Sequence, residues 1–192
     1  RQTIPFFVTV VFSDFSGKDV QGDYCNRSEM ERGLWGKDEI YAYLTAKGIS
    51  YEVTNHDAVF NMEELGAVEL PYPKWDAKIY FVRDDKKEYY LISVKGDKRV
   101  DLKAFRKAKG CGPSFASADD LLAILGLTPG AVTPLGLLND KAGKVYFYLD
   151  VDFKGHLIGV HPNDNTATVW LLADDLMKLL REEGHDGEFV DI

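Results

Sequence analysis

The sequence predicts one domain of the α/β or α+β class, built around a single mixed β-sheet. Three observations carry this. Strand-like runs at Lys78–Val82, Glu88–Val94 and Val145–Val151 interleave with capped helical stretches. At 192 residues the chain is long enough for one substantial core. Apolar residues at 45% and charged residues at 28% match an ordinary soluble globular protein.

The elements follow in order. A first helix is expected from about Lys37 to Lys47, with Ile40, Tyr43 and Leu44 on one face and Gly48 as its stop. Tyr51 to Thr54 alternates like a short strand. Asn61 is placed to cap a helix opening Met62-Glu63-Glu64-Leu65, and Leu70-Pro71-Tyr72-Pro73 then breaks the chain. The runs at Lys78 and Glu88 form a hairpin across the charged turn from Arg83 to Lys87. Asp101 caps a helix to Lys109, and Ser117 opens another through Leu125 to Gly126. Strands are expected at Val145–Val151, Leu157–Val160 and Thr166–Leu171, with a last helix over Asp175–Glu183 burying Leu176, Leu179 and Leu180.

Residues 1–35 fit this pattern poorly and are set aside as an extension of unknown role, with the domain at 36–192. The apolar run from Ile4 to Phe12 is far short of a membrane span and lacks the features of a secretory signal. Cys25 and Cys111 have no metal-ligand spacing, so a reduced, cytoplasmic protein is expected. The net charge of −8 argues against indiscriminate coating of nucleic acid. Yet Lys95 to Lys109 holds seven basic residues (Lys95, Lys98, Arg99, Lys103, Arg106, Lys107 and Lys109) against Asp97 and Asp101. Such a stretch is either a solvated helix face or a phosphate-binding patch on an acidic body.

The segment His161-Pro162-Asn163-Asp164-Asn165-Thr166-Ala167-Thr168 concentrates an imidazole, amides, a carboxylate and hydroxyls just before the apolar Val169-Trp170-Leu171-Leu172. Pro162 forces His161 into an extended conformation, so the residues read as a polar turn feeding a buried strand. Asx-type self-bonding is one use for such a turn, and presenting a rigid site is the other. Lys78 begins an apolar strand, where an ammonium either snorkels or holds a phosphate or carbonyl. Gly130-Ala131-Val132-Thr133-Pro134 offers backbone N–H groups to a ligand. No nucleophile elbow, P-loop or dinucleotide fingerprint appears, and the four histidines lack zinc-site spacing. A metal site of His161 and Asp164 is the less favoured reading, and neither metal nor cofactor is expected.

Six pieces in order carry a resemblance: Asn55–Glu64, Ala77–Asp84, Lys98–Lys103, Ser114–Ser117, Gly130–Asp140 and His161–Thr168. Together they resemble the YbaK/prolyl-tRNA editing family over roughly Asp38 to His185. More narrowly, they resemble its free-standing ProX or PrdX members, which deacylate alanyl-tRNA mischarged on proline tRNA. The resemblance implies a curved mixed sheet flanked by helices. It also implies a hydrolase acting on the ester of mischarged tRNA, with Ala-tRNA(Pro) as the leading substrate.

Lys78 matches the family's functional lysine, which contacts the 3′ end of the aminoacyl-tRNA. Gly130 and Pro134, with Ala131, Val132 and Thr133 between them, match its G-x-x-x-P loop. His161 and the Asn165-Thr166 pair match its histidine-containing turn. Lys78, Gly130 and His161 are therefore the expected catalytic set, with Met62 and Leu65 as walls of the amino-acid pocket. Lys95, Lys98, Arg99, Lys103 and Arg106 are the expected tRNA contacts. The implied partners are the acceptor end of tRNA and prolyl-tRNA synthetase, for a monomer or homodimer with no membrane attachment. Asp57, Ile79 and the Asn163-Asp164 pair depart from the family pattern, which bears on pocket shape and on amino-acid specificity. The alternatives are a deacylase for cysteine or serine and a non-catalytic aminoacyl-tRNA-binding module of the same fold.

Overall fold

A computed structural model of the chain describes residues 8–11, 33–58, 68–110 and 112–192. Its strands are β1 (Val8–Val11), β2 (Tyr51–Asn55), β3 (Ala77–Arg83), β4 (Tyr89–Lys95), β5 (Ser114–Phe115), β6 (Val145–Asp150), β7 (Leu157–Val160), β8 (Ala167–Leu172) and β9 (Gly187–Val190). The helices are α1 (Lys37–Ala46), α2 (Leu102–Lys109), α3 (Ala118–Leu125) and α4 (Ala173–Glu182). The expected helix at Asn61–Leu65, with Met62 and Leu65, lies outside the described residues.

Local chemistry accounts for the helix ends. The Asp101 carboxylate accepts the Lys103 and Ala104 N–H groups at 2.9 and 3.1 Å, and the Ser117 hydroxyl accepts the Asp120 N–H at 3.0 Å. Gly110 and Gly126 close the same two helices in the left-handed conformation, at φ +70° and +63°. Ile40 and Leu44, one turn apart on α1, are fully buried.

The expected class holds, but the single mixed sheet divides into two. One is antiparallel, in the order β1-β2-β8-β7. The other, β5-β3-β4-β6-β9, is mixed, with β3–β4 and β3–β5 antiparallel and β4–β6 and β6–β9 parallel. β1 falls within the segment set aside as an extension, and it pairs with β2 from Val8↔Thr54 to Val11↔Tyr51.

The main core gathers Val53, Val169 and Leu171 from the first sheet, Phe81, Leu91 and Phe147 from the second, and the apolar faces of α1, α3 and α4. A second cluster of Val82, Ile92, Val94 and Tyr148 lies on the other face of the second sheet, against Phe105 of α2. Burial on both faces explains why β3 and β4 read as apolar runs without clean alternation.

One isolated parallel bridge, Asp76↔Gly159, joins the sheets by setting the start of β3 against the edge strand β7. Glycines hold this seam closed. A Cβ on Gly159 would stand 2.3 Å from the Trp170 ring, and one on Gly96 would stand 2.9 Å from the Asp76 carbonyl oxygen. Burial pushes the Asp76 carboxyl up to about 7, against the opposing pull of the Ala77 N–H and of Lys78.

Gly159→Ala is expected to destabilise the fold by about 1–3 kcal/mol through overpacking against Trp170. A urea melt with an unchanged midpoint would contradict the seam's close packing. Asp76→Asn should stabilise the protein in a pH-dependent way. The raised carboxyl takes up a proton on folding, so its cost grows from its ordinary value near 3.8 to about 7 and then levels off. The gain in melting temperature from the substitution should follow that profile, and a pH-independent gain would refute it.

Candidate active site at the junction of the sheets

Strand parity decides which side chains meet. Directly paired residues point to the same face of a sheet, and that face repeats every second residue. In the first sheet, Val53, Val169 and Leu171 point into the core, so Thr54, Thr168, Trp170 and Gly159 occupy the opposite face. Asp76 joins this face through the bridge to Gly159. Both segments run in the same direction from the bridge. Lys78 and His161, each two residues further on, therefore emerge on one side of the junction.

Lys78 donates to the Lys98 carbonyl oxygen at 3.4 Å, the outer edge of hydrogen-bond range. An ammonium has three donors, so this weak contact orients Lys78 without saturating it.

His161 is fixed from two sides. Its Nδ1 donates to the Ala167 carbonyl at 2.8 Å, which leaves the Nε2 lone pair as the acceptor of the neutral ring. Burial lowers its pKa, with the neighbouring His56 adding to the effect and the Ala167 carbonyl and Asp164 opposing it. Its own carbonyl accepts the Thr133 hydroxyl at 2.6 Å, tying the 130–134 loop to the histidine turn. Thr133 is fully buried and also accepts the Leu135 N–H at 3.3 Å. Its side chain is thus a brace and its carbonyl accepts the Gly136 N–H at 3.1 Å, so its backbone N–H is what it offers a ligand.

Within that loop Gly130 takes φ +91°, Ala131 and Pro134 are buried, and Val132 packs partly against the core. The Ala131 N–H already donates to the Thr128 carbonyl at 3.1 Å.

The histidine turn is built by its own polar residues. Asn163 adopts φ +58°, a conformation asparagine tolerates, and donates to the Trp35 carbonyl at 2.7 Å. The Trp35 N–H in turn donates to Asn139 at 2.7 Å. The Asp164 carboxylate accepts both the N–H and the hydroxyl of Thr166, and these bonds hold its pKa down although burial opposes them. Lys37 reaches the Thr166 hydroxyl at 3.1 Å and Asp164 at 3.9 Å. Asp164 and the Thr166 side chain therefore serve the turn. Asn165, beside them, is partly buried.

His56 enters the site without having been singled out by the sequence. Its ring centroid lies 6.0 Å from that of His161, and its Nε2 meets the Thr168 hydroxyl at 3.0 Å. The one signal was its place in the Asn55–Glu64 piece, next to the unusual Asp57. Asp76 had no signal beyond standing two residues before Lys78.

The basic segment separates into two groups. Lys98 bonds Asp150 at 2.9 Å and Asp152 at 2.8 Å, and Lys95 lies 3.8 Å from Asp97 and 5.1 Å from the Trp75 ring centre. Arg99, Lys103 and Arg106 are exposed. Among the described residues, no group of three or more His, Cys, Asp or Glu side chains is placed to hold a metal, and no helix is long and apolar enough to cross a membrane.

The chain is similar to known proteins along most of its length. The aminoacyl-tRNA editing domain model matches residues 56–179. The prolyl-tRNA editing protein ProX of Acetoanaerobium sticklandii is 35% identical over 159 residues, spanning 81% of this chain and 97% of its own. The prolyl-tRNA synthetase associated domain-containing protein 1 of Bos taurus is 34% identical over 150 residues, spanning 74% and 87%. A solved structure described as a candidate trans-editing enzyme for prolyl tRNA synthetase superposes with a TM-score of 0.61 at 19% identity, over 81% of this chain and 94% of its own. A scaffold from an epitope-grafting design study gives 0.62 at 20% identity, over 81% and 95%. These two likenesses show a common fold, and the sequence matches show the lineage: the chain belongs to the aminoacyl-tRNA editing family of YbaK and ProX proteins.

Proposed function

We propose that the protein is a trans-editing deacylase that hydrolyses the ester of mischarged tRNA, with Ala-tRNA(Pro) as its preferred substrate. One observation carries this reading: the parallel Asp76↔Gly159 bridge, from which strand parity turns the Lys78 ammonium and the neutral His161 imidazole to one side of the junction, with His161 tied to the G-x-x-x-P loop. The activity is assigned to residues 36–192 and to the cytoplasm, where it would correct the product of prolyl-tRNA synthetase.

An aminoacyl ester is already activated, so the site must hold, orient and stabilise. Lys78 binds the terminal phosphate or polarises the ester. The His161 Nε2 accepts from the substrate's α-ammonium. Because the Ala131 N–H is engaged, the oxyanion falls to the N–H groups of Gly130, Val132 and Thr133. Water attacks the carbonyl carbon, and its proton passes through the ribose 2′-hydroxyl to the departing 3′-oxygen. The products are the free amino acid and uncharged tRNA. Positioning supplies much of the rate. An apolar synthetase pocket rejects a smaller side chain by only about 1–3 kcal/mol, which is why a second sieve is useful.

A deacylation panel over alanyl-, cysteinyl-, seryl- and prolyl-tRNA tests the reading, with alanyl-tRNA expected to turn over fastest. Binding without hydrolysis of any substrate would favour a non-catalytic module instead. Lys78→Ala should lower kcat/KM by about 10²–10³-fold, and full activity in that variant would remove Lys78 from the mechanism. Arg99→Glu with Lys103→Glu should raise KM and flatten its salt dependence. The same KM across salt concentrations would return these residues to a solvated surface.

A further inference from the structure

Within the basic segment, Lys98 turns its charge into the molecule and its backbone toward the site. Its Nζ sits between Asp150 at 2.9 Å and Asp152 at 2.8 Å. Asp150 is fully buried at the end of β6, where it also accepts the Asp152 N–H at 3.1 Å and the Lys95 N–H at 3.3 Å. A buried carboxylate needs such partners, so the pair is anchored rather than opportunistic. The other end of the residue plays a different part, since its carbonyl oxygen receives the Lys78 ammonium.

The route from β6 to the site is therefore continuous. Asp150 and Asp152 fix the Lys98 side chain, and this fixes the turn after β4. The turn then presents the Lys98 carbonyl to Lys78. The Lys95 N–H bond to Asp150 secures the same turn at its start.

We propose that Lys98 is a positioning residue for Lys78, acting through its own backbone carbonyl, and that the Asp150–Lys98–Asp152 clip sets where the Lys78 ammonium stands. The inference rests on the deacylase reading for its kinetic consequence, but not for its structural one. It also gives the members of the basic segment different roles. Lys98 orients the site, whereas exposed neighbours such as Arg99 and Lys103 are left to meet phosphate.

The test separates a positioning role from a phosphate contact. Lys98→Met alone strands the buried Asp150, so the main variant is Lys98→Met with Asp150→Asn, which removes both charges together. Asp152→Ala, at the half-exposed end of the clip, is the milder second variant, and Lys98→Arg is the conservative rescue. On alanyl-tRNA, the double variant should lower kcat by roughly 10–100-fold while KM and its salt dependence stay close to wild type. Lys98→Arg should keep most of kcat. A raised KM with a flattened salt slope and unchanged kcat would overturn the proposal and make Lys98 a phosphate contact.

A second readout does not depend on turnover. Acylation of Lys78 by an N-hydroxysuccinimide ester, followed by mass spectrometry on the folded protein, should run several-fold faster in the double variant and in Asp152→Ala. Unchanged Lys78 labelling in both would overturn the clip even if activity fell. Wild-type inactivity on every tRNA would overturn the deacylase reading, and the labelling result would still decide the clip.

Discussion

Among the described residues, the two sheets become one working surface at the backbone bridge between Asp76 and Gly159. The shared side of Lys78 and His161 follows from that contact. It sets Lys78 and His161 at equivalent distances along two parallel segments. The bridge in turn depends on glycine: with a side chain at 159, Trp170 could not lie against β7, and with one at 96 the turn after β4 could not close on Asp76. The buried Trp170 indole is held in place by its hydrogen bond to Thr54 at 3.0 Å. Aromatic packing on one side and glycine on the other thus determine where the lysine and the histidine stand.

The parts of the fold visible in the sequence were those with local causes. The Asp101 and Ser117 caps, the glycines ending α2 and α3 and the β3–β4 hairpin all depend on residues within a few positions of one another. The division into two sheets was not visible. It is decided by long-range pairing, such as Tyr89↔Val145 and Tyr51↔Leu171, and an apolar run does not state which partner it will take. β5 is only two residues long, and β1 lay in a stretch with no evident pattern.

The site divides in the same manner. Lys78, the 130–134 loop and His161 stand out in the sequence because their order along the chain resembles a family. Their supporting residues were not found, because support is a matter of space. The Thr133 hydroxyl is a brace on the His161 carbonyl, a role that no spacing along the chain announces. Thr166 looked like a pocket residue, yet its hydroxyl belongs to the Asp164 turn. Lys98 looked like any cation in a basic run, because its carboxylate partners stand more than fifty positions away. Charge density in a sequence shows where cations are, and only the fold shows which of them face outward.

The parallel sense of the bridge has a consequence for how this family can vary. Both site residues are counted from one shared origin, two steps along each segment. Inserting or deleting one residue between 76 and 78, or between 159 and 161, would turn one of the two side chains to the opposite face and leave the other in place. Length changes in these two short intervals would therefore separate the lysine from the histidine, whereas the turns at 85–88 and 141–144 are exposed and stand outside both intervals.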